Sequence, residues 1–299
     1  MNSAYQRAAV GASAILLASV VQAGGAQAAS SGSGKAPPSS TCSLPIPFRA
    51  QNFSSGLHID NRFLPMRPGT RLTYRGQVTA GGAATGHEVV FTVTDLFKVV
   101  DGVRSRVIYD VDKDAGTLAE AELAFFAQDD RGNVWNVGEY PELYTNGKFT
   151  GAPSTWIAGQ AHASAGIHML AQPTDPAQRK HEYLQGRAPS ITFLDCAKVA
   201  SSGGTVKVPA GRFSSVVTTE ERSPLESLTA TQLKKHAPGV GIVSISAKND
   251  PQAETLQLVD RTTLTAAQLA QIDRQARALD GHAYRVSSVY GATTPARVG

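Results

Sequence analysis

The sequence predicts a mainly β protein, an antiparallel sheet with one helix at its C-terminal end. Two observations carry this. Short runs rich in Val, Ile, Thr, Tyr and Phe recur from about residue 71 to residue 260, with Gly, Pro, Asn and Asp between them, and several alternate apolar with polar residues. One clear stretch, residues 265–279, instead repeats its apolar residues at steps of three and four. No linker composition or internal repeat divides residues 42–281, so they read as one β-rich domain, long enough to bury a real core.

Two segments precede that domain. One positive charge within residues 1–7, the apolar run VGASAILLASVV at 10–21 and the small-x-small triplet Ala26-Gln27-Ala28 have the layout of a secretory signal peptide, residues 1–28. The apolar run is too short to stay behind as a membrane span, so no transmembrane segment is expected after cleavage. Residues 29–41 are largely Ser, Gly and Pro, lack the apolar surface that would offset ordering, and read as a flexible leader. The expected location is periplasmic or secreted. In that oxidising setting Cys42 and Cys196 are expected to pair and tie the N-terminal arm to the middle of the domain; two free buried thiols are the alternative. The formal net charge is +4. Its basic residues are scattered rather than gathered into the stripe that a nucleic-acid partner needs, so the charge reads as solubility.

Residues 61–76 (NRFLPMRPGTRLTYRG) open the domain. Phe63, Leu64, Pro65 and Met66 lay down an apolar arm, and Pro68-Gly69 makes a turn in which Pro fixes φ and Gly supplies a positive one. Leu72 and Tyr74 then alternate with Thr73 and Arg75, the period of a half-buried strand. Gly81, Gly82 and Gly86 mark a loop, and 87–95 and 103–111 read as the second and third strands. Residues 117–128 (TLAEAELAFFAQ) favour a helix by composition, but strands on both sides decide for a strand. Residues 130–133 then form a hairpin turn, with Gly132 free for its left-handed position, and 134–138 return as the partner.

Residues 140–172 read as a long loop interrupted by Gly147, Gly151, Pro153, Gly159 and Gly166, yet packed, because Trp156, Ile157, Ile167, Met169 and Leu170 are too apolar for disorder. Strands resume over 180–184, 191–198, 204–208 and 212–221. Residues 224–236 read as a short helix or irregular crossing, and 239–247 with 253–260 as a closing hairpin around Asn249-Asp250. Thr265 caps the helix, whose docking face is Leu269, Ile272, Ala276 and Leu279. Residues 282–299 read as a loose tail.

Three stretches carry a resemblance: FLPMRPGTRLTYRG at 63–76; FFAQDDRGNVWNVGE at 125–139 with STWIAGQAHASAGIHML at 154–170; and KVPAGRFSSVVTTEE at 207–221 followed by KHAPGVGIV at 235–243. Together they resemble a family of secreted bacterial β proteins of unassigned function, patterned FPLxPGTxWxYRG … AQDxxGNVWYxGE … GVGLV. The first and last also resemble the TapB-like and LolA-like group of exported β proteins. Leu72 and Asn136 stand where the pattern has aromatics. The resemblance covers about residues 61–260. It implies a strongly curved antiparallel sheet, a lipocalin- or LolA-like half-barrel closed by a helix, and it brings no catalytic residues with it.

Candidate functional residues concentrate in and after residues 125–139. Asp129, Asp130 and Glu139 lie close in sequence, and Glu182 can join them from a later strand. Paired carboxylates flanking a cleft are the apparatus of glycoside hydrolysis, which makes Asp130, Glu139 and Glu182 the acid–base candidates. The plainer alternative makes Asp130 a turn acceptor and Glu139 a structural carboxylate. Trp135 and Trp156 each offer a flat apolar face and one donor, suited either to a ligand site or to the core. His162, His168 and His181 lack an HExxH pairing or an acidic ligand at a fixed step, so no metal or cofactor is expected. Ser164 lacks the context of a nucleophile elbow.

A half-barrel with a helix on its open side leaves an apolar concavity, the kind of place that holds ligands. The leading expectation is therefore an exported binding protein for a small apolar or amphipathic molecule. Trp135, Trp156 and Met169 would line or gate the mouth, and Asn133 and Glu139 would make polar contacts. The alternative is an extracellular hydrolase acting on a glycan or ester through Asp130, Glu139 and Glu182.

Overall fold

Strand β1 (Thr70–Ala80) is bonded along both edges, to β2 (Ala83–Val100) on one side and to β14 (Thr255–Thr263) on the other, and this closes the sheet. The computed structural model describes residues 42–299 apart from Gly81, Glu226, Leu228 and Pro251. The signal expected at 1–28 and the leader at 29–41 lie outside the described residues. From β2 the chain runs antiparallel through β3 (Val103–Asp114), β4 (Thr117–Gln128) and β5 (Val134–Thr145). Short strands β6 (Lys148–Gly151) and β7 (Trp156–Ile157) hang on β5, as does β8 (Ser164–Met169), which continues the ring. The ring then follows chain order through β9 (Tyr183–Ala188), β10 (Phe193–Val208), β11 (Gly211–Arg222), β12 (Thr231–Ala237), β13 (Gly241–Lys248) and β14. The result is a closed antiparallel barrel rather than a half-barrel. Closure leaves β1 and β2 no free edge, and edge removal is what full closure achieves. Gly76 makes the β1–β14 seam possible, since a Cβ there would lie 1.7 Å from the carbonyl oxygen of Thr255.

Residues 117–128 are a strand, as expected, because their alternation serves two buried faces. Phe125 packs on Tyr290 outside the barrel, with ring centroids 6.1 Å apart, while Glu120, Glu122 and Phe126 point the other way. Two expectations are corrected. The loop read over 140–172 holds the second half of β5 as well as β6, β7 and β8: Gly147, Gly151 and Gly159 sit at strand ends and turns, while Gly166 lies inside β8, where a Cβ would meet the backbone of Gln185. The crossing read over 224–236 contains β12, whose Lys234 and His236 are fully buried, so an apparently solvated pair of lysines hid a strand.

The apolar arm packs into the main hydrophobic core. Leu64 and Met66 meet Leu72, Tyr74, Phe91 and Phe126 there, and Tyr74 donates to the carbonyl of Ile242 at 2.9 Å. On the outside, helix α1 (Ala266–Val286) opens with a capping box between Thr265 and Gln268 and lies against β2 and β4. Its buried face includes Asp273, Ala276, Leu279, Asp280 and Ala283, while Leu269 and Ile272 are half-buried. Lys98 of β2 is buried beneath it, donating to Asp280 at 3.0 Å, Tyr284 at 2.9 Å and the Thr294 carbonyl at 2.7 Å.

The tail read as loose is anchored. Tyr290 of α2 (Ser288–Gly291) donates to Asp280, Ala296 N donates to the same carboxylate, and β15 (Arg297–Val298) pairs with β2. A buried cation and a buried tyrosine both need partners, and these residues supply them. Cys42 and Cys196 form a disulfide. No helix among the described residues is long and apolar enough to cross a membrane.

Candidate functional site

Strand alternation fills part of the barrel with polar side chains. Asp110 and Asp112 of β3 stand opposite Glu122 and Glu120 of β4, and Glu139 of β5 follows on the same face. Across the barrel, Thr219 and Glu221 of β11 stand opposite Lys234 and Gln232 of β12. All are buried. Lys234 lies 2.7 Å from Glu221, His87 Nδ1 lies 2.7 Å from Asp114, and Gln232 donates to Glu254 at 2.5 Å.

Burial and neighbouring charge set the protonation of this network. Burial pushes Glu139 and Asp110 each up to about 7. Glu122 is raised well above the carboxylate range by burial and then by the neighbouring charges of Glu139 and Glu120. Glu221 goes the other way: burial would raise it, but Lys234 and His168 bring it down to about 2. Burial lowers His168 to about 4 and His236 to about 3. In His87 burial alone would lower the imidazole, yet Asp114 and Glu254 outweigh it and lift it to about 9. Burial thus favours the neutral form of the Glu139 and Asp110 carboxyl groups. Among the described residues, Glu122 Oε1 and Tyr183 Oη have no hydrogen-bond partner there.

A cleft of about 730 Å³ opens on the surface, with Asn133, Leu170 and Tyr183 among its lining residues. Four segments build it, one of them residues 177–183 with Gln178, His181, Glu182 and Tyr183. The N-terminal arm contributes Pro45 and Ile46, and is held by the disulfide and by a parallel bridge from Ser43 to Tyr183. The turn between β4 and β5 contributes Arg131 and Asn133. Asp129 fixes that turn by accepting from the backbone N–H of Arg131 (3.0 Å) and of Asn133 (2.9 Å), from Asn133 Nδ2 (2.8 Å) and from the Trp135 indole (2.8 Å). The exit of β8 contributes Leu170 to Gln172, and Asn133 Oδ1 ties it to the turn by accepting from Ala171 N at 2.8 Å.

No family model and no curated protein matches the chain. Two solved structures are similar. A candidate exported protein with a YmcC-like fold from Bacteroides fragilis is 16% identical, with 68% of this chain and 99% of that one covered and a TM-score of 0.39. A candidate lipoprotein from Parabacteroides distasonis is 14% identical, with the same coverage and a TM-score of 0.32.

The residues singled out from sequence part company in three dimensions. Asn133, His181 and Glu182 line the cleft. Trp135, Trp156 and Met169 do not line a mouth; all three are enclosed in the core. The reason is chemical: each indole N–H finds a buried carboxylate, Asp129 for Trp135 and Glu139 for Trp156, so neither ring needs water at its polar edge. Glu139 is likewise enclosed, accepting also from Asn136 at 2.5 Å.

The three acid–base candidates are not brought together. Asp130 is exposed and accepts from Ser54 N (2.9 Å) and Oγ (2.6 Å), and these hydrogen bonds hold it below its usual range. Glu182 is clasped by Arg222 Nε and Nη2 at 2.5 and 2.6 Å. His168 is buried and His162 is exposed. Sequence reasoning missed Arg131 and the arm residues Pro45 and Ile46. For the arm, the available signal was the cysteine pair, which places it beside β9 and β10.

Proposed function

We propose that this chain is an exported binding protein that takes a small amphipathic molecule into the cleft beside its N-terminal arm. The observation that carries this reading is the cleft itself. At about 730 Å³ it falls in the range of small-molecule sites, and it sets apolar Pro45, Ile46 and Leu170 against polar Arg131, Gln172 and Gln178. The export signal read in the sequence and the disulfide support a periplasmic or secreted location. The resemblance of the three sequence motifs to exported β proteins agrees with it. Asp130, Glu139 and Glu182 each serve a different local structure, so nothing in their placement favours the hydrolase.

The test is native mass spectrometry of the mature protein purified from its own host without detergent, beside Ile46→Asp. A stoichiometric small molecule retained by the wild type and lost from the folded variant supports the reading. An equal load on both proteins, or none on either, counts against it.

A further inference from the structure

We infer that the cleft selects single-chain amphiphiles with an anionic head, a carboxylate or a phosphate monoester, and that Arg131 meets that head. The inference rests on the cleft being the binding site. Its basis is the charge left over in the lining. Glu182, a carboxylate of the lining, is already neutralised by the two-pronged contact from Arg222. Arg131 is exposed and its guanidinium has no ion-pair partner among the described residues. The cleft therefore presents one uncompensated, always-protonated group, whose planar fork suits the oxygens of a carboxylate or phosphate.

The position of that group is prepared in advance. Asp129 gathers four N–H donors of the 129–135 segment, Arg131 N among them, so the turn that carries Arg131 is rigid before any ligand arrives. Asn61 Nδ2 adds a bond to the Gly132 carbonyl at 2.8 Å and another to the Leu170 carbonyl at 3.1 Å, which joins the turn to the apolar wall. Head and chain thus have separate places: the guanidinium at the turn, and Leu170, Ile46 and Pro45 for the hydrocarbon. Gln172 and Gln178 can complete the hydrogen bonds of the head without adding charge.

The experiment measures binding of four dodecyl amphiphiles to the mature protein by calorimetry below their micelle concentrations. They are laurate, dodecyl phosphate, dodecyl maltoside and dodecyltrimethylammonium. The two anions are expected to bind about tenfold or more tightly than the maltoside, as a charge-assisted contact requires. Arg131→Ala should abolish that preference, so that the anions bind no more tightly than the maltoside, and Arg131→Lys should keep part of it. Equal binding of all four, or a preference that survives Arg131→Ala, overturns the inference and leaves the binding site standing. Binding to anionic vesicles but to no dissolved amphiphile overturns it in favour of a membrane surface. No binding of any probe overturns it together with the reading on which it rests.

Discussion

Trp156 donates its indole N–H to Glu139 across 3.1 Å, and both side chains are enclosed within the protein. This contact turns two residues of the most chemistry-rich stretches into a structural pair. Asn136 fills the other oxygen of the same carboxyl, so the group is held by two donors and has no path to a substrate in the cleft.

Glu139→Gln replaces one of those accepting oxygens with an N–H₂ that faces a donor. The expected cost is about 1–3 kcal/mol at pH 5. The sign of its pH dependence follows from the raised carboxyl. Glu139 titrates near 7 when folded, so its contribution is fully present below its unfolded value and is lost as pH rises through 7. The variant lacks that loss, and its deficit should shrink at pH 8. Urea titrations at the two pH values decide it; a deficit that grows with pH would refute the assignment.

Stability as a whole should be greatest in mildly acid solution. The contribution of His87 is fully present below its unfolded pKa and drains away as pH rises toward about 9, at about 1.4 kcal/mol per pH unit for one proton. Asp110 and Glu139 lose theirs as pH rises toward about 7. On the acid side, Glu221 loses its contribution as pH falls toward about 2, and His168 and His236, neutral when folded, disfavour the fold as the unfolded chain takes up protons. Melting temperature from pH 3 to 9 should trace a dome; a steady rise from pH 7 to 9 would contradict the His87 environment.

Strand order was readable wherever alternation was plain, as in β1, and even in β4, where the composition favours a helix. It was unreadable in β12, because Lys234 and Lys235 look alike in sequence and only the pairing with Glu221 sends the first inward. Barrel closure left no local mark either: it depends on β1 finding β14, a pairing of residues far apart in the chain. The tryptophans misled because an indole beside carboxylates suits a ligand site and a satisfied core equally well. The cleft was legible only in part, through Asn133, His181 and Glu182, since its other wall is an arm brought there by the disulfide.

Removing that disulfide should therefore act on stability and on binding together. The bridge spans a sequence separation of 154, and on chain-entropy grounds such a loop is worth up to about 5 kcal/mol. Cys42→Ser with Cys196→Ser should lower the denaturation midpoint and free the arm that carries Pro45 and Ile46. Amphiphile affinity should fall under conditions where the variant is still folded by circular dichroism. Unchanged affinity in the folded double variant would show that the arm is no wall of the site.

Lys98 offers the sharpest test of the outer face. Its ammonium lies 4.1 Å from the Tyr290 ring centroid and bonds Asp280, which in turn accepts from Tyr290 and Ala296. Lys98→Met keeps the bulk but leaves Asp280 buried without its cation, and breaking a buried pair from one side costs about 3–5 kcal/mol. Adding Asp280→Asn removes the stranded charge while keeping an acceptor for Tyr290, so the double variant should recover part of the loss. The tail from residue 288 onward should become sensitive to limited proteolysis in the single variant before the barrel unfolds, because Lys98 also holds the Thr294 carbonyl at 2.7 Å. Cleavage at the same protease concentration in wild type and variant would mean that the tail is held by its other contacts, chiefly the pairing of β15 with β2.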